Sequence, residues 1–454
     1  MSDRHVPAAA DGASSAPMRR ADGAAPRIVL DGYNLAMDKG TGVATYARNL
    51  SHALKALGAE VEVLYGAPIQ AGYDDLLKEV MFFDAAPAAQ PGRLQQLLRP
   101  LRSLRPGNRH QAFRVPVTGA VVTRGLVGRL PSFDALWNVH RLFERAHVKF
   151  ELLRSIQKVR LPGPADLMHW TYPVPVRIRG MPNVYTLHDL VPLRLPYTTL
   201  DRKASYLALV KWVARTADHI VTVSEASRRD IIELLGVPED RVTNTYQAVH
   251  IPREFAEMSD AEVADTVGTN FGLEPRGYFL FFGSIEPKKN VGRIVEAFLS
   301  AGTGSQLVIV GARAWRSAEE TRLLDALPSG DNRVRRFDYV PFPMLVQLIR
   351  GARAVVFPSL YEGFGLPVLE AMSLGTPVIG STTSSVPEVA GDAALLVDPY
   401  RAHDIAQAIR QIDADDDLCF ELSRRGRLQA ERFSPAAYGQ RLREVYRGLG
   451  ITAS

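Results

Sequence analysis

A single cysteine, Cys419, stands in 454 residues. That excludes an internal disulfide and any cysteine-built zinc or iron–sulfur centre, and it suits a reducing compartment. No apolar run reaches the roughly 18 residues that would read as a membrane span. Charge of one sign is lacking too: 54 Lys and Arg against 49 Asp and Glu leave a formal +5, too mild to argue for nucleic acid. No Gly-x-Gly-x-x-Gly follows the first strand of either half, which disfavours a nicotinamide-dependent oxidoreductase. Arg19-Arg20 is followed by Ala-Asp-Gly and not by an apolar stretch, so no secretory signal peptide is expected.

What is present is length enough for two or three domains and a repeated strand–helix rhythm. Residues 1–26, rich in Ala, Gly, Ser, Asp and Pro, read as a disordered tail. Arg27–Asp31 then predicts a strand, Val43–Leu57 an amphipathic helix and Glu60–Leu64 a second strand, the opening of a parallel sheet. Further strands are expected at 166–170, 183–187 and 219–223, and residues 236–256 read as an interdomain connection. A second α/β series begins at Tyr278–Phe282 and closes near 394–397. The expected architecture is therefore α/β with two doubly wound domains, 27–255 and 256–433, facing a central cleft, and a last helix (434–450) returning to the first. Residues 93–160 hold 14 Lys and Arg against three acids, Asp134, Glu144 and Glu151. Their leucines and arginines suit either a solvated helix face or contact with an anionic membrane.

The most informative string is Phe357-Pro-Ser-Leu-Tyr-Glu-Gly-Phe-Gly-Leu-Pro-Val-Leu-Glu-Ala-Met372. An apolar strand runs into a loop containing Gly363 and Gly365, and Pro367 suits the start of a helix. Such a loop offers unpaired backbone N–H groups at a positive helix end. Glu362 falls in the loop and Glu370 in the first turn as read from the sequence. Carboxylates do not hold phosphate, but they accept hydrogen bonds from paired hydroxyls of a sugar or ribose. Glu370 could equally serve the helix dipole, and the glycines a tight turn. His188 follows an apolar strand whose C-terminal end faces the cleft. Gly40-Thr41-Gly42 forms a glycine turn before a helix, and Glu225 reads best as a helix cap.

In this setting the sequence resembles the retaining glycosyltransferases of family 4, which have the two-domain GT-B fold. PSLYEGFGLPVLEAMSLGTPVIGS and SSVPEVAGDAALLVDP (358–399) carry the likeness. YFLFFGSIEPKKN (278–290), TLHDLVPLRLP (186–196), TVSEASRRDI (222–231) and GTGVATYARNL (40–50) extend it. It covers most of 27–450 and is weakest over 65–165. The resemblance implies that Glu370 holds the nucleotide ribose and that Glu362 lies beside the donor sugar. It further implies that backbone groups of Gly363, Phe364, Gly365 and Leu366 read sugar hydroxyls. Lys289 would clamp the diphosphate, whose charge grows as the glycosidic bond breaks. Family members commonly carry arginine where this chain has Ser284, and Lys288 would supply the second cation, as in a subgroup with a Pro-Arg-Lys-Asn string. Tyr339 and Val340 match a position near the base, His188 one against the reacting sugar, and Gly40, Thr41 and Gly42 a loop near diphosphate or acceptor.

The implied activity is transfer of a hexose, with retention by same-face attack, from a nucleotide sugar to a glycan or polyprenyl-diphosphate-linked acceptor in surface polysaccharide synthesis. The subgroup likeness favours mannose from GDP-mannose. No cofactor and no metal is expected, because no Asp-x-Asp follows a strand and Asp415-Asp416-Asp417 falls between helices. The expected location is cytoplasmic, peripheral on the inner face of the membrane, with no nucleic-acid partner. A nucleotide-sugar epimerase, a sugar phosphorylase or a non-catalytic nucleotide-sugar binder on the same fold remain open at this stage.

Overall fold

The computed structural model describes residues 17–36, 42–84, 111–122, 130–200, 202–314, 317–328 and 330–451. Two parallel sheets dominate them. The N-terminal sheet is built from β1 (Arg27–Asp31), β2 (Glu60–Tyr65), β3 (Phe113–Val115), β4 (Ala135–Asn138), β6 (Leu167–Trp170), β8 (Asn183–Thr186), β9 (His219–Thr222) and β10 (Val242–Asn244), with β5 (Gln157–Val159) and β7 (Val176–Ile178) forming a separate pair. Its spatial order is β10-β9-β8-β6-β1-β2-β4-β3, parallel throughout except that β3 runs antiparallel to β4.

The C-terminal sheet contains β11 (Tyr278–Phe282), β12 (Gln306–Val310), β13 (Val334–Phe337), β14 (Ala354–Phe357), β15 (Val378–Ser381) and β16 (Leu395–Val397) in the order β13-β12-β11-β14-β15-β16. All its pairings are parallel. Chain order reverses between β11 and β14, so the loops after those strands open at a topological switch point, where such sheets bind ligands. Every residue of β11 and of β14 is buried. Burial on both faces explains their unbroken apolar runs, each large side chain contributing about 1.5–3 kcal/mol.

Two readings of the sequence change. Residues 17–26 are not a loose tail: Met18 is buried, its N–H donates to the Leu57 carbonyl at 2.7 Å, and Arg20 and Ala24 close a turn. The 236–256 connection contains β10, which adds an edge to the N-terminal sheet beside β9. It is only three residues long, and its Thr and Asn mask it. The leucine–arginine stretch from 93 to 105 lies outside the described residues, as do residues 1–16.

The final helix, Pro435–Gly448, leaves the C-terminal half and packs on the N-terminal one. Its Gly439 faces Leu57, its Tyr438 ring lies 6.5 Å from Tyr46, and the Tyr446 hydroxyl meets His169 Nδ1 at 2.7 Å. Where the chain crosses between the halves, at Tyr246 and again at Phe433, those two rings meet edge to face at 5.1 Å.

Candidate active site

The site is assembled from three loops at C-terminal strand ends. After β11, Glu286–Asn290 forms a single tight turn, and Asn290 adopts a left-handed φ of 64°. The Asn290 amide fixes that turn by donating to the carbonyls of Pro358, at 3.0 Å, and Pro399, at 2.6 Å. Lys288 and Lys289 are thereby held against the loop that follows β14, and the Lys288 carbonyl accepts from Leu360 N at 2.8 Å. The Lys289 ammonium lies 2.7 Å from Glu362 Oε1 and 4.7 Å from the centre of the Phe357 ring. Lys288 Nζ sits 3.9 Å from Glu286, whose carboxylate also accepts from Ser284 Oγ at 3.3 Å.

Electrostatics sort these groups. Burial alone would raise the Glu362 pKa, but Lys289 and Lys288 outweigh it and hold the carboxyl below its usual range. Burial works against the charge on Lys288, yet Glu362, Asp189 and Glu286 keep its pKa above that of an ordinary lysine. Glu370 differs: burial pushes it up to about 7, with only Lys289 opposing. Among the described residues its carboxylate makes no ion pair, so one acid is paired in place and the other is not. A closely spaced pair of lysines with a satisfied and an unsatisfied carboxylate suits a molecule carrying both diphosphate and hydroxyls.

The Glu362–Gly365 loop is held through its backbone. Glu362 N donates to Ser384 Oγ at 2.8 Å, and Ser385 Oγ donates to the carbonyls of Glu362 (3.0 Å) and Phe364 (2.8 Å). Gly365 has φ 103°, conformationally open to glycine and costly for other residues. The helix begins at Leu366, so Glu370 stands in its second turn and not the first. A carboxylate there is too far along to cap, which removes the dipole reading of Glu370.

Across the cleft, a Cβ on Gly363 would come within 2.8 Å of the His188 carbonyl. The Ser227 hydroxyl reaches that same carbonyl at 2.8 Å and the Gly363 carbonyl at 3.3 Å. The His188 ring meets the Tyr46 ring edge-on at 4.7 Å. Its Nε2 is 2.9 Å from the Thr171 carbonyl, which can only accept, so Nε2 carries the proton. Burial lowers the His188 pKa, leaving a neutral ring whose Nδ1 lone pair is the unprotonated one. Gly42 opens the Gly42–Ala56 helix, and a Cβ there would lie 4.0 Å from Leu366. Gly40 and Thr41 lie outside the described residues.

Other expected positions fall elsewhere. Phe364 is buried against Phe433 and Tyr246, so its ring belongs to the core and only its backbone faces the loop. Val340 is buried while Tyr339 is 81 % exposed just beyond β13. Glu225 is not the cap of its helix. Ser224 is, its Oγ accepting from Ser227 N at 3.0 Å, while the N–H groups of Glu225 and Ala226 donate to the Glu388 carboxylate, at 2.9 and 3.2 Å, from the other half. Glu388, Glu286 and the serines at 384 and 385 escaped the sequence reading, though Glu286 lies beside the two lysines and Ser384-Ser385 opens a helix.

Known proteins match the chain in two blocks. Residues 40–251 match a family model described as Glycosyltransferase Family 4, and residues 270–429 one described as Glycosyl transferases group 1. The O-antigen chain mannosyltransferase B of Escherichia coli is 36 % identical over 259 residues, covering 55 % of this chain and 66 % of that protein. A serotype-specific mannosyltransferase WbdA of Escherichia coli is 29 % identical over 60 % of this chain but only 32 % of its own length. The chain thus spans less than two thirds of these relatives. The crystal structure of Anabaena Alr3699/HepE in complex with UDP and glucose covers 93 % of this chain and 100 % of its own at a TM-score of 0.61 and 16 % identity, a likeness of fold. The two facing doubly wound domains are the GT-B arrangement.

Proposed function

The chain belongs to glycosyltransferase family 4, and from that premise we propose that it transfers a hexose from a nucleotide sugar to a glycan or polyprenyl-diphosphate-linked acceptor in surface polysaccharide synthesis. Mannose from GDP-mannose is the donor this reading favours, because the O-antigen mannosyltransferases are among its relatives. The observation that carries the reading is the Lys289–Glu362 contact beside the unpaired Glu370 carboxylate.

In this reading the donor diphosphate lies against Lys288 and Lys289, which offset the charge that builds on the leaving group. The ribose hydroxyls donate to Glu370. The sugar hydroxyls meet Glu362 and the backbone of Gly363–Leu366, and His188 approaches the reacting sugar from the N-terminal half. Transfer with retention proceeds by attack on the face that the diphosphate leaves, the departing phosphate taking the acceptor proton. The protein's part is to hold the two reactants in register and to stabilise charge. The paired lysines take the role that a divalent cation would otherwise fill, so no metal is required. The chain works on the cytoplasmic side, in contact with an anionic membrane.

A panel of nucleotide sugars, offered with a polyprenyl-diphosphate glycan and read by release of nucleoside diphosphate, tests the proposal. Turnover of GDP-mannose supports it. Turnover of UDP-sugars alone would overturn the mannose assignment, and donor binding without product would replace transferase by a non-catalytic binder.

A further inference from the structure

Away from the cleft, the N-terminal half holds a cavity of about 470 Å³ lined by Lys149, Arg154, Lys158, Arg179 and Trp212 together with Ser155, Ile156 and Gln157. Its walls are the C-terminal end of the Leu142–Leu153 helix, the small β5–β7 sheet and the Lys203–Thr216 helix. Lys149 Nζ donates to the Ile156 carbonyl at 3.0 Å, and Arg154 donates to Ser205 Oγ at 3.2 Å. None of the four cations makes an ion pair with a described carboxylate. Burial, and after it the charge of Lys158, lowers the Lys149 pKa, as expected where like charges converge without a counter-ion.

Beside this pocket the helix ends on two leucines that the fold leaves in water. Leu152 is 54 % exposed and Leu153 57 %. Arg202 pairs with Glu151 at 3.2 Å, and Leu200, two residues before Arg202, is 66 % exposed. Apolar side chains next to unpaired cations match the boundary of a bilayer with negative headgroups, where the leucines leave water and the cations meet phosphate. The two helices that wall the pocket also touch segments that follow strands of the N-terminal sheet. On the first helix, His147 stacks on Tyr33 after β1 at 5.6 Å. On the second, Tyr206 next to Ser205 donates to the Asp189 carbonyl at 3.1 Å.

We infer that Lys149, Arg154, Lys158 and Arg179, with Leu152 and Leu153, form a docking surface for an anionic lipid membrane, headgroup phosphates entering the pocket and the leucines entering the acyl boundary. This deepens the membrane contact in the proposed reading and gives it a place.

Sedimentation of the full chain with vesicles of phosphatidylglycerol and phosphatidylcholine in equal parts, against vesicles of phosphatidylcholine alone, is the test. Binding is expected to the anionic vesicles only. The double variant Lys158→Ala/Arg179→Ala should bind them roughly 30-fold more weakly, at about 1 kcal/mol per cation near the surface. Leu152→Ser/Leu153→Ser should weaken binding with the charge unchanged. Thermal unfolding of each variant near the wild-type temperature certifies the fold. Equal binding to both vesicles, or variants that bind as wild type, would overturn the inference. So would binding of inorganic pyrophosphate at these residues with no vesicle binding, which would make the pocket a site for free phosphate. Vesicle binding by a chain that takes up no nucleotide sugar would leave the docking surface standing and remove the donor reading instead.

Discussion

Lys289 places its ammonium 2.7 Å from the Glu362 carboxylate across 73 residues of sequence. Both side chains are largely withdrawn from water, 11 % and 7 % exposed. Such a pair contributes little as a pair but is costly to break singly. Lys289→Ala should therefore lower stability by about 3–5 kcal/mol, read by denaturant unfolding. The variant should bind GDP more weakly by about 1.5–3 kcal/mol, the usual worth of a charge-assisted contact, read by titration calorimetry. Loss of stability with unchanged GDP affinity would remove Lys289 from the donor site.

Glu370 makes stability depend on pH. Its pKa rises from the ordinary 4.5 to about 7 on burial, so between those values the folded chain keeps a proton that the unfolded chain has lost. Stability falls as pH rises through that window, by about 3 kcal/mol in all. Unfolding at pH 5 and pH 8 should show the drop, and Glu370→Gln should flatten it. If Glu370 takes the ribose hydroxyls, GDP favours its ionised form and binding near pH 6 releases a proton. Calorimetry in buffers of different ionisation heat reads that release, and it should vanish in Glu370→Gln.

Gly363→Ala puts a methyl group within 2.8 Å of the His188 carbonyl. The loop must shift, because backbone cannot yield as a flexible side chain can. GDP affinity should stay close to wild type while kcat for sugar transfer falls roughly 10- to 100-fold, the scale on which ångström misplacements act. An unchanged kcat would mean that the approach of the two halves at this point has no part in turnover.

Glu388→Ala removes the carboxylate that receives the N–H groups of Glu225 and Ala226 from the opposite half. The Ser224 cap remains, so the loss should be about 1 kcal/mol. Small-angle scattering should report a larger radius of gyration for the variant. An unchanged radius would mean that Tyr361–Asp230 and the Ser227 bridge hold the cleft without Glu388.

Chelation tests the lysine argument. Transfer should proceed unchanged with EDTA present, and Lys288→Ala should not be rescued by added Mg²⁺. Activity that depends on a divalent cation would overturn the assignment of the diphosphate to the two lysines.

The centre of the C-terminal sheet was legible because β11 and β14 are buried on both faces. Tyr278–Phe282 and Ala354–Phe357 are continuous apolar runs that leave no other reading. β3, β5 and β7 were not legible: each is three residues long and carries a charged side chain at its centre. The Glu362, Gly363 and Lys289 neighbourhood could be anticipated from family likeness, whereas the helix start at Leu366, which moves Glu370 into the second turn, depends on Gly365 taking a left-handed φ. The contacts between halves had no local signature at all. Glu388 reads as a helix acid within its own segment, and its partners are backbone groups 162 and 163 residues away. Phe364 shows the converse, a motif residue whose ring serves packing alone.

The chain passes between the lobes twice, and the two passages run side by side at Tyr246 and Phe433. Two tethers set edge to edge leave the lobes fewer ways to move than a single tether would. Phe364 touches both tethers, so the loop that carries Glu362 is seated where the two lobes are joined.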